Sequence, residues 1–449
     1  MLVLAVVTAC SSSQPAQHSR APVSERTIRL LDLKPCPSNE MTGFDCGRLT
    51  VPLDHAHPGG AKLRLPVAVQ AGDAPPLLVL TGGPGQGGVD FVPSVADRLA
   101  PLLRQRRLVM VDQRGTGGTA LDCPGLQAQM GETDLVTPTR RAVEGCSDRL
   151  GPARAFYGTE DTVADLDQLR RALGAPTWAV DGTSYGTYVA ERYALAHPQA
   201  VDHLVLDSVV PQDWTVKGSL QLPSFRAVRR VLTLVCNEQR CHTDPVADLA
   251  TLVRRGEDGP ALLNLLAVVS VVRPDMAFVP GMLHDAVEGR RGLLDGWLQG
   301  IVRPVPDPVF SQGLHAATLC ADQREPWGGP DTPMTARGPA LASTESRLSA
   351  RQTRPFDAAT AVDNGLVQLC HWWGVTPIEA ARQGALPAVP TLVLMGDHDL
   401  STPMEWARQE LPRLPHPRVL VVHGAGHSVQ SQLAAHPQVL RALERLLED

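Results

Sequence analysis

Two common features are missing from this 449-residue sequence. It has no excess of basic charge, because 41 lysines and arginines stand against 47 aspartates and glutamates, for a formal net charge of −6. It also has no apolar run near the roughly 20 residues that a membrane-spanning helix needs, since the longest stretches, such as 262–272, are much shorter. The first absence argues against a nucleic-acid partner, and the second argues against a mature chain that spans a membrane.

Paired zinc-binding cysteines and internal repeats are missing as well. His242 follows Cys241 and His371 follows Cys370, but neither place has the C-x-x-C spacing of a structural zinc site. We therefore predict no metal. With 43% hydrophobic residues the chain can bury a large core, and its length suits two or three domains.

The first ten residues, MLVLAVVTAC, predict an export signal. An apolar run leads into small residues, and VTAC at 7–10 resembles the bacterial lipobox, whose cysteine becomes the lipidated first residue of the mature chain. No lysine or arginine precedes the short run, so plain secretion and a buried N-terminal strand are alternatives. We predict an exported envelope lipoprotein anchored through Cys10, with 1–24 as signal and tether.

Eight cysteines are left when Cys10 is set aside, and an even number in an exported protein favours disulfide bonds. Many connectivities are possible for eight cysteines, so only proximity along the chain ranks them. Proximity predicts the pairs Cys36 with Cys46, Cys123 with Cys146, Cys236 with Cys241, and Cys320 with Cys370.

Short apolar runs alternate with helical patterns, which predicts an α/β fold with a doubly wound, mostly parallel sheet. One helix is especially clear, because Asp161 can cap it, apolar residues recur at helical spacing from 163 to 173, and Gly174 can end it. The strand candidates are 63–69, 77–80, 108–111, 177–180, 201–206, 391–395 and 419–422.

Between residues 211 and 387 this alternation fails, and helical pieces are broken by proline and glycine, as at 304–308 and 328–330. We predict a mostly helical cap inserted at this place. Because a strand pattern resumes at 391, the sheet domain is expected to consist of 25–210 and 388–449.

The strongest functional pattern is GTSYG at 182–186, which follows a predicted strand and precedes a helical stretch at 188–196. G-x-S-x-G between a strand and a helix is a nucleophile elbow, a turn so tight that only small residues fit at its flanks. The pattern predicts Ser184 as a nucleophile. Such a serine needs a base and an acid that orients the base, in the chain order Ser, Asp/Glu, His.

Both partners occur in that order. Asp397 and Asp399 follow the last but one predicted strand, and His423 and His427 follow the last one. These loops leave the carboxyl ends of strands, which is where open α/β sheets place their sites. We predict His427 as the base in preference to His423, which lies at the strand end, and Asp399 as the acid in preference to Asp397.

Two backbone N–H groups are expected to stabilise the oxyanion of a tetrahedral intermediate. One belongs to Tyr185, directly after the nucleophile. The other should come from the loop at 81–85, whose glycines let backbone approach a substrate closely, and Gly83 is the predicted donor.

The same loop also fits a dinucleotide-binding pattern. Gly83, Gly85 and Gly88 have the spacing G-x-G-x-x-G after a strand, and Asp112 follows about 20 residues later. A Rossmann oxidoreductase is thus an alternative. We rank it lower, because Pro84 interrupts the motif, two strands precede it, and it leaves the serine, aspartate and histidine unexplained.

Together these motifs resemble the α/β-hydrolase family of prolyl and tripeptidyl aminopeptidases. The resemblance rests on GGPG at 82–85, DQRGTG at 112–117, the elbow and the two triad partners, and CAD at 320–322 and CHW at 370–372 are similar to the tripeptidyl branch. It covers nearly the whole chain after about residue 30. It implies an α/β-hydrolase fold with a cap over the site, release of amino acids or short peptides from free N-termini, and no metal or organic cofactor.

The resemblance also implies cap carboxylates that hold the ammonium group of the substrate. The candidates are Asp213, Asp322 and Glu325, each near a tryptophan, Trp214 or Trp327, that would wall a pocket. The alternative for each of them is a solvated surface acid.

We therefore predict an exported serine aminopeptidase that acts on peptide substrates through Ser184, His427 and Asp399. An esterase or thioesterase on small acyl substrates is the first alternative, because the same residues serve both reactions and only the cap decides. A non-catalytic envelope binding protein that keeps the hydrolase fold is the alternative from another class. No oligomeric state follows from the sequence.

Overall fold

The computed structural model describes residues 31–213, 215–302, 309–377 and 384–448. The predicted signal and tether at 1–24, the lipidation site Cys10, and Trp214 lie outside the described residues. A nine-stranded sheet forms the centre of the described part. Its strands are β1 (Lys34–Pro35), β2 (Phe44–Pro52), β3 (Lys62–Gln70), β4 (Pro76–Leu80), β5 (Arg107–Val111), β6 (Trp178–Thr183), β7 (Val201–Asp207), β8 (Thr391–Gly396) and β9 (Arg418–Val422).

The sheet is antiparallel at one edge and parallel over the rest. Its strand order is β1-β2-β3-β5-β4-β6-β7-β8-β9. Strands β1 to β3 and the pair β3 and β5 are antiparallel, and every other neighbouring pair is parallel. The predicted mostly parallel sheet is confirmed, and the carboxyl ends of β4, β6, β8 and β9 meet at one edge.

Helices cover both faces of this sheet, because successive side chains of each buried strand point to opposite faces. In β4, Leu77 and Val79 pack into a cluster with the helices at 92–98 and 437–448. Leu78 and Leu80 pack into a cluster with the helices at 159–172 and 185–196. The helices are α1 (Val92–Arg98), α2 (Pro124–Met130), α3 (Arg140–Leu150), α4 (Thr159–Ala172), α5 (Tyr185–Ala196), α6 (Val216–Ser219), α7 (Leu222–Gln239), α8 (Pro245–Arg254), α9 (Gly259–Val272), α10 (Val279–Val287), α11 (Gly292–Ile301), α12 (Gln312–Asp322), α13 (Met334–Glu345), α14 (Ala350–Thr353), α15 (Ala358–Asp363), α16 (Gly365–His371), α17 (Met404–Glu410) and α18 (Pro437–Glu448).

Helix α4 starts earlier than predicted. Its N-cap is Gly158, so Asp161 lies in the first turn instead of capping the helix. The sequence misleads here because acids are favoured throughout a first turn by the partial positive charge of the helix N-terminus. The end agrees with the prediction, since Gly174 follows the last turn with a φ of +68°.

Among the described residues between β7 and β8, the regular elements are helices, α6 to α16, joined by loops. Helices α2 and α3, which precede it in the chain, join this layer. Their apolar residues share a cluster with α12 and α16 that includes Leu126, Val143, Leu314 and Leu369. The layer above the sheet edge is therefore built from two segments of the chain, and only the second was predicted as cap.

The four predicted cysteine pairs are bonded in the structure, including Cys123 with Cys146 in the first segment and Cys320 with Cys370 between α12 and α16. Among the described residues, no helix combines the length and apolar character needed to cross a membrane. No group of three potential metal ligands comes together in the described ranges either.

Candidate active site

The turn around Ser184 has the geometry of a nucleophile elbow. Ser184 joins β6 directly to α5 with a φ of +57° and a ψ of −127°, a strained conformation for a residue with a side chain. A Cβ on Gly186 would lie 2.5 Å from the carbonyl oxygen of Leu80, and one on Gly182 would clash with the backbone of Gly186. The two glycines are thus required by the close approach of β4 and α5, and the turn lifts Ser184 to the carboxyl edge of the sheet.

His427 and Asp399 form a buried pair on neighbouring loops. His427 donates from Nδ1 to Oδ2 of Asp399 at 3.0 Å. Asp399 is 1% exposed, and its carboxylate also accepts the backbone N–H groups of Ser401 and Thr402 at 2.8 and 2.9 Å and the hydroxyl of Thr402 at 3.0 Å. These bonds hold the Asp399 carboxyl group in one orientation, which in turn orients the imidazole.

The pKa of His427 reflects this pairing. Burial by itself would lower it, but the Asp399 carboxylate, helped by the charges of Asp207 and Asp134, raises the pKa above its ordinary value. A base whose imidazolium form is stabilised in this way suits transient protonation during acyl transfer.

The alternative residues form a second pair of their own. His423 donates from Nδ1 to Oδ2 of Asp397 at 2.6 Å, but its side chain is 72% exposed. Of these two histidines, His427 lines the cavity that contains Ser184 and His423 does not. The geometry therefore agrees with the preference for His427 and Asp399.

The loop after β4 lies directly against the nucleophile. A Cβ on Gly82 would be 3.3 Å from Oγ of Ser184, and Gly83 lines the same cavity with a φ of +107°. Tyr185 opens α5, so its N–H has no partner within the helix. The loop that carries Gly83 and the start of α5 that carries Tyr185 therefore both lie next to Ser184.

The side chains of the DQRGTG segment hold neighbouring parts of the chain in place. Asp112 accepts the backbone N–H groups of Gly88 and Val89 at 2.8 and 2.9 Å, so the acid expected to bind a ribose is used within the glycine loop itself. Arg114 is fully buried and binds both carboxylate oxygens of Asp165 at 2.7 Å. These contacts argue against the Rossmann alternative.

Ser184 and His427 open into a cavity of about 970 Å³ between sheet edge and cap. Helices α9 and α11 supply an apolar wall, which includes Val268, Val271, Val272, Leu293, Trp297 and Ile301. Two acids line the cavity as well. They are Glu132 and Asp134, from the loop between α2 and α3.

The three predicted cap acids do not line this cavity, so their predicted role needs correction. Asp213 forms an ion pair with Arg413 at 3.1 Å, and Asp322 is enclosed by Tyr185 and Thr159. Glu325 is 3% exposed within the cap, where burial raises its pKa to about 8. The sequence misleads because each acid is close to a tryptophan along the chain, whereas its side chain is used in packing.

Glu132 and Asp134 were missed because nothing in their local sequence marks a site. They lie in a polar loop without a motif, and they reach the cavity only because α2 and α3 pack on α12 and α16. The Asp134 side chain is 41% exposed, yet desolvation raises its pKa, a shift that the charges of His315 and His427 oppose.

Family models match two parts of the chain. Residues 75–277 match the alpha/beta hydrolase fold, and residues 354–447 match the family of TAP-like proteins. The chain has the α/β-hydrolase fold. The TAP-like match contains both Asp399 and His427, and the first match contains Ser184.

Three curated relatives match different shares of this chain. Tripeptidyl aminopeptidase of Streptomyces lividans is 32% identical over 192 residues, 37% of this chain and 35% of that protein. Serine protease Hip1 of Mycobacterium tuberculosis is 25% identical over 447 residues, 87% of this chain and 82% of that protein. Carboxylesterase B of Mycobacterium tuberculosis is 32% identical over 158 residues, 30% of each chain. The chain thus spans about a third of the length of the first relative and most of the second.

Proposed function

We propose that this chain is a serine peptidase that releases amino acids or short peptides from free N-termini. The observation that carries the proposal is the presence of Glu132 and Asp134 in the cavity of Ser184 and His427. Relatives named as a tripeptidyl aminopeptidase and a serine protease support peptide bonds as the target.

In the proposed reaction, Ser184 attacks the scissile carbonyl while His427 takes its proton at Nε2. Asp399 holds the imidazole through Nδ1 and stabilises the imidazolium form. The N–H groups of Gly83 and Tyr185 stabilise the oxyanion. His427 then gives the proton to the leaving amine, and an acyl-enzyme is left on Ser184. Water hydrolyses this intermediate with His427 as the base again, which restores the serine.

The ammonium group of the substrate would lie at the loop between α2 and α3. Asp134 lines the same cavity as Ser184 and His427, so this acid is near the reacting bond. A carboxylate is stabilised when a cation binds beside it. A fixed distance between Asp134 and Ser184 would restrict cleavage to bonds near the N-terminus.

An esterase acting on small acyl substrates is the second candidate. The apolar wall from α9 and α11 would accept an acyl chain as well as apolar side chains, and a relative named as a carboxylesterase supports this alternative. A non-catalytic binding protein would keep the cavity without turnover.

Matched substrates separate the three candidates. We would compare peptidyl anilides with a free or an acetylated N-terminus and an aryl ester, with Ser184→Ala as the inactive control. A strong preference for the free amine supports the aminopeptidase. Equal rates on both anilides with rapid ester cleavage would reject it in favour of the esterase, and no labelling of the wild type by a fluorophosphonate would reject both enzymes.

Export and lipidation are part of the proposal. Four disulfides favour an oxidising compartment, and the lipobox-like VTAC would supply the anchor. Metabolic labelling with palmitate should mark the wild type and leave Cys10→Ala unlabelled. Labelling of neither, with the protein in the culture medium, would indicate plain secretion.

A further inference from the structure

Cap helix α12 contacts all three chain segments that the proposed function assigns to substrate. Its first residues reach the glycine loop after β4, its last residue reaches Tyr185, and a glutamine at its start reaches the loop of Glu132 and Asp134. We propose that α12 is the positioning element of the site, which fixes the oxyanion donors through His315 and Asp322 and the ammonium loop through Gln312. This inference rests on the proposed function and goes beyond it.

The contact with the glycine loop is tight. His315 is fully buried and donates from Nδ1 to the carbonyl oxygen of Pro84 at 2.9 Å, and the N–H of Ser311 donates to the carbonyl oxygen of Gly85 at 2.9 Å. A Cβ on Gly85 would lie 2.8 Å from the carbonyl oxygen of Ser311. The Pro84–Gly85 and Gly85–Gln86 peptide groups, which come shortly after the predicted donor Gly83, are thereby fixed by α12.

The contact with Tyr185 fixes the other donor. Its phenol donates to Oδ2 of Asp322 at 2.6 Å, and the hydroxyl of Thr159 donates to the same oxygen at 2.6 Å. Tyr185 is 2% exposed. Because the phenol and the N–H belong to one residue, holding the ring limits the rotation of the N–H beside Ser184.

The third contact concerns the acidic loop. Gln312 is fully buried, and its Nε2 donates to the carbonyl oxygens of Gly131 and Thr133 at 3.0 and 3.2 Å, on both sides of Glu132. His315 Nε2 lies 3.8 Å from Oδ1 of Asp134 and has no hydrogen-bond partner among the described residues. The helix thus supports the loop under both acids.

A rigid helix with these contacts sets the distance between the ammonium site and the oxyanion site. The path along the helix from Gln312, at the ammonium loop, to Asp322, at Tyr185, is about 15 Å at 1.5 Å per residue. The disulfide between Cys320 and Cys370 ties the same helix to α16. Disturbing the bond between Asp322 and Tyr185 should lower kcat for every substrate. Disturbing the bonds from Gln312 to the acidic loop should raise KM for free-amine substrates alone.

The oxyanion half is tested with two tyrosines of helix α5. Tyr185→Phe removes the bond to Asp322, and Tyr193→Phe is the matched control, because Tyr193 is also buried and donates to a carboxylate, that of Asp167, at 3.3 Å. We expect Tyr185→Phe to lower kcat and the rate of fluorophosphonate labelling about 10-fold or more, since small misplacements of catalytic groups have large effects on rate. Tyr193→Phe should stay within about twofold of the wild type.

A pair of inhibitors, a peptide aldehyde and the corresponding alcohol, distinguishes a positioning role from a merely structural one, because only the positioning role changes their relative affinities. A peptide aldehyde adds the Oγ of Ser184 to its carbonyl carbon, the hydroxyl proton passes to His427, and the resulting oxyanion faces the two donors. The corresponding alcohol binds without this step. Tyr185→Phe and Asp322→Asn should lower the affinity for the aldehyde by the same factor as they lower kcat. The affinity for the alcohol should be unchanged.

The ammonium half is tested with two cap glutamines. Gln312→Met should raise KM for the free-amine anilide about 10-fold and leave the acetylated anilide and the labelling rate unchanged. Gln368→Met is the control, because Gln368 also donates to a carbonyl oxygen, that of Val362 at 2.9 Å, away from the cavity. Equal effects of the two methionine variants would overturn this half.

The outcomes separate this inference from the proposed function. Wild-type rates on the anilides and the ester test the function, whereas the ratio of each variant to its control tests the role of α12. If Tyr185→Phe labels as fast as Tyr193→Phe, or if aldehyde and alcohol weaken equally, the positioning role is refuted even in an active peptidase. A wild type that cleaves only esters refutes the ammonium half and leaves the oxyanion comparison decisive for the other half.

Discussion

Replacing Glu325 by glutamine distinguishes a buried structural acid from a substrate-binding one. Glu325 is 3% exposed, and Arg337, the cation whose charge acts on it, already donates to the carbonyl oxygens of Cys370 and Trp373 at 2.7 Å. Burial therefore raises the pKa of Glu325 from 4.5 to about 8, opposed only in part by the Ser219 hydroxyl and the Arg337 charge. This shift corresponds to roughly 5 kcal/mol between the two protonation states.

The sign of the effect follows from proton binding. Below pH 4.5 the Glu325 carboxyl group is neutral in the folded and the unfolded chain, so its ionisation does not reduce the free energy of unfolding there. Between 4.5 and about 8 only the unfolded chain loses the proton, so the free energy of unfolding falls by about 1.4 kcal/mol per pH unit until the folded pKa is passed. Glu325→Gln should match the wild type at pH 4 and exceed it by about 3–5 kcal/mol at pH 8.

Thermal unfolding of the oxidised protein at pH 4, 6 and 8 measures this difference, with the exposed Glu288→Gln as control. The gap between variant and wild type should widen with pH, while the control should follow the wild type. Parallel midpoints at all three values would show that the carboxylate is solvated or paired in solution. A collapse of the rate on free-amine anilides in Glu325→Gln would return the residue to its predicted role in substrate binding.

Three further outcomes follow from the site. Asp134→Asn should raise KM for free-amine anilides about 10- to 100-fold, as expected for the loss of a partly desolvated charge pair, and steady-state kinetics on the acetylated anilide should stay unchanged. Asp399→Asn should lower kcat by about 10⁴-fold with the fold intact, whereas His423→Ala should alter it less than about twofold; equal losses would reverse the choice of histidine. Gly182→Ala should reduce soluble yield and labelling together, because its Cβ meets the backbone of Gly186, and a fully active variant would refute the tight turn.

The sheet could be predicted because buried parallel strands have continuous apolar sequences. All seven predicted strands correspond to β3–β9, within a few residues at their ends. Strands β1 and β2 were missed. β1 has only two residues, and β2 mixes exposed and buried positions around Gly47 and Arg48, so neither has the continuous apolar pattern. The order of the strands depends on long-range pairing that no local pattern reveals.

The candidate triad could be proposed from the sequence because an elbow requires glycines at fixed spacing, and its partners follow strands in a fixed order. The rest of the cavity wall could not. Gln312 holds the loop of Asp134 through the carbonyl oxygen of Thr133, although 178 positions separate Gln312 from Asp134 in the sequence and neither lies in a motif. The cap acids were misjudged for the same reason, since the position of a side chain relative to the cavity depends on helix packing.

Charge within the cavity, more than the triad, separates a peptidase from an esterase. Both reactions need Ser184, His427 and Asp399, but a neutral acyl substrate would bring no cation to the Asp134 carboxylate. A site built around a polar group discriminates strongly against ligands that fail to pair with it, although the 41% exposure of the Asp134 side chain limits that discrimination. A free-amine substrate gains this pairing only when its scissile bond lies at the distance that α12 sets between Asp134 and the oxyanion donors. The same contacts would therefore select both the charge of the substrate end and the position of the cleaved bond.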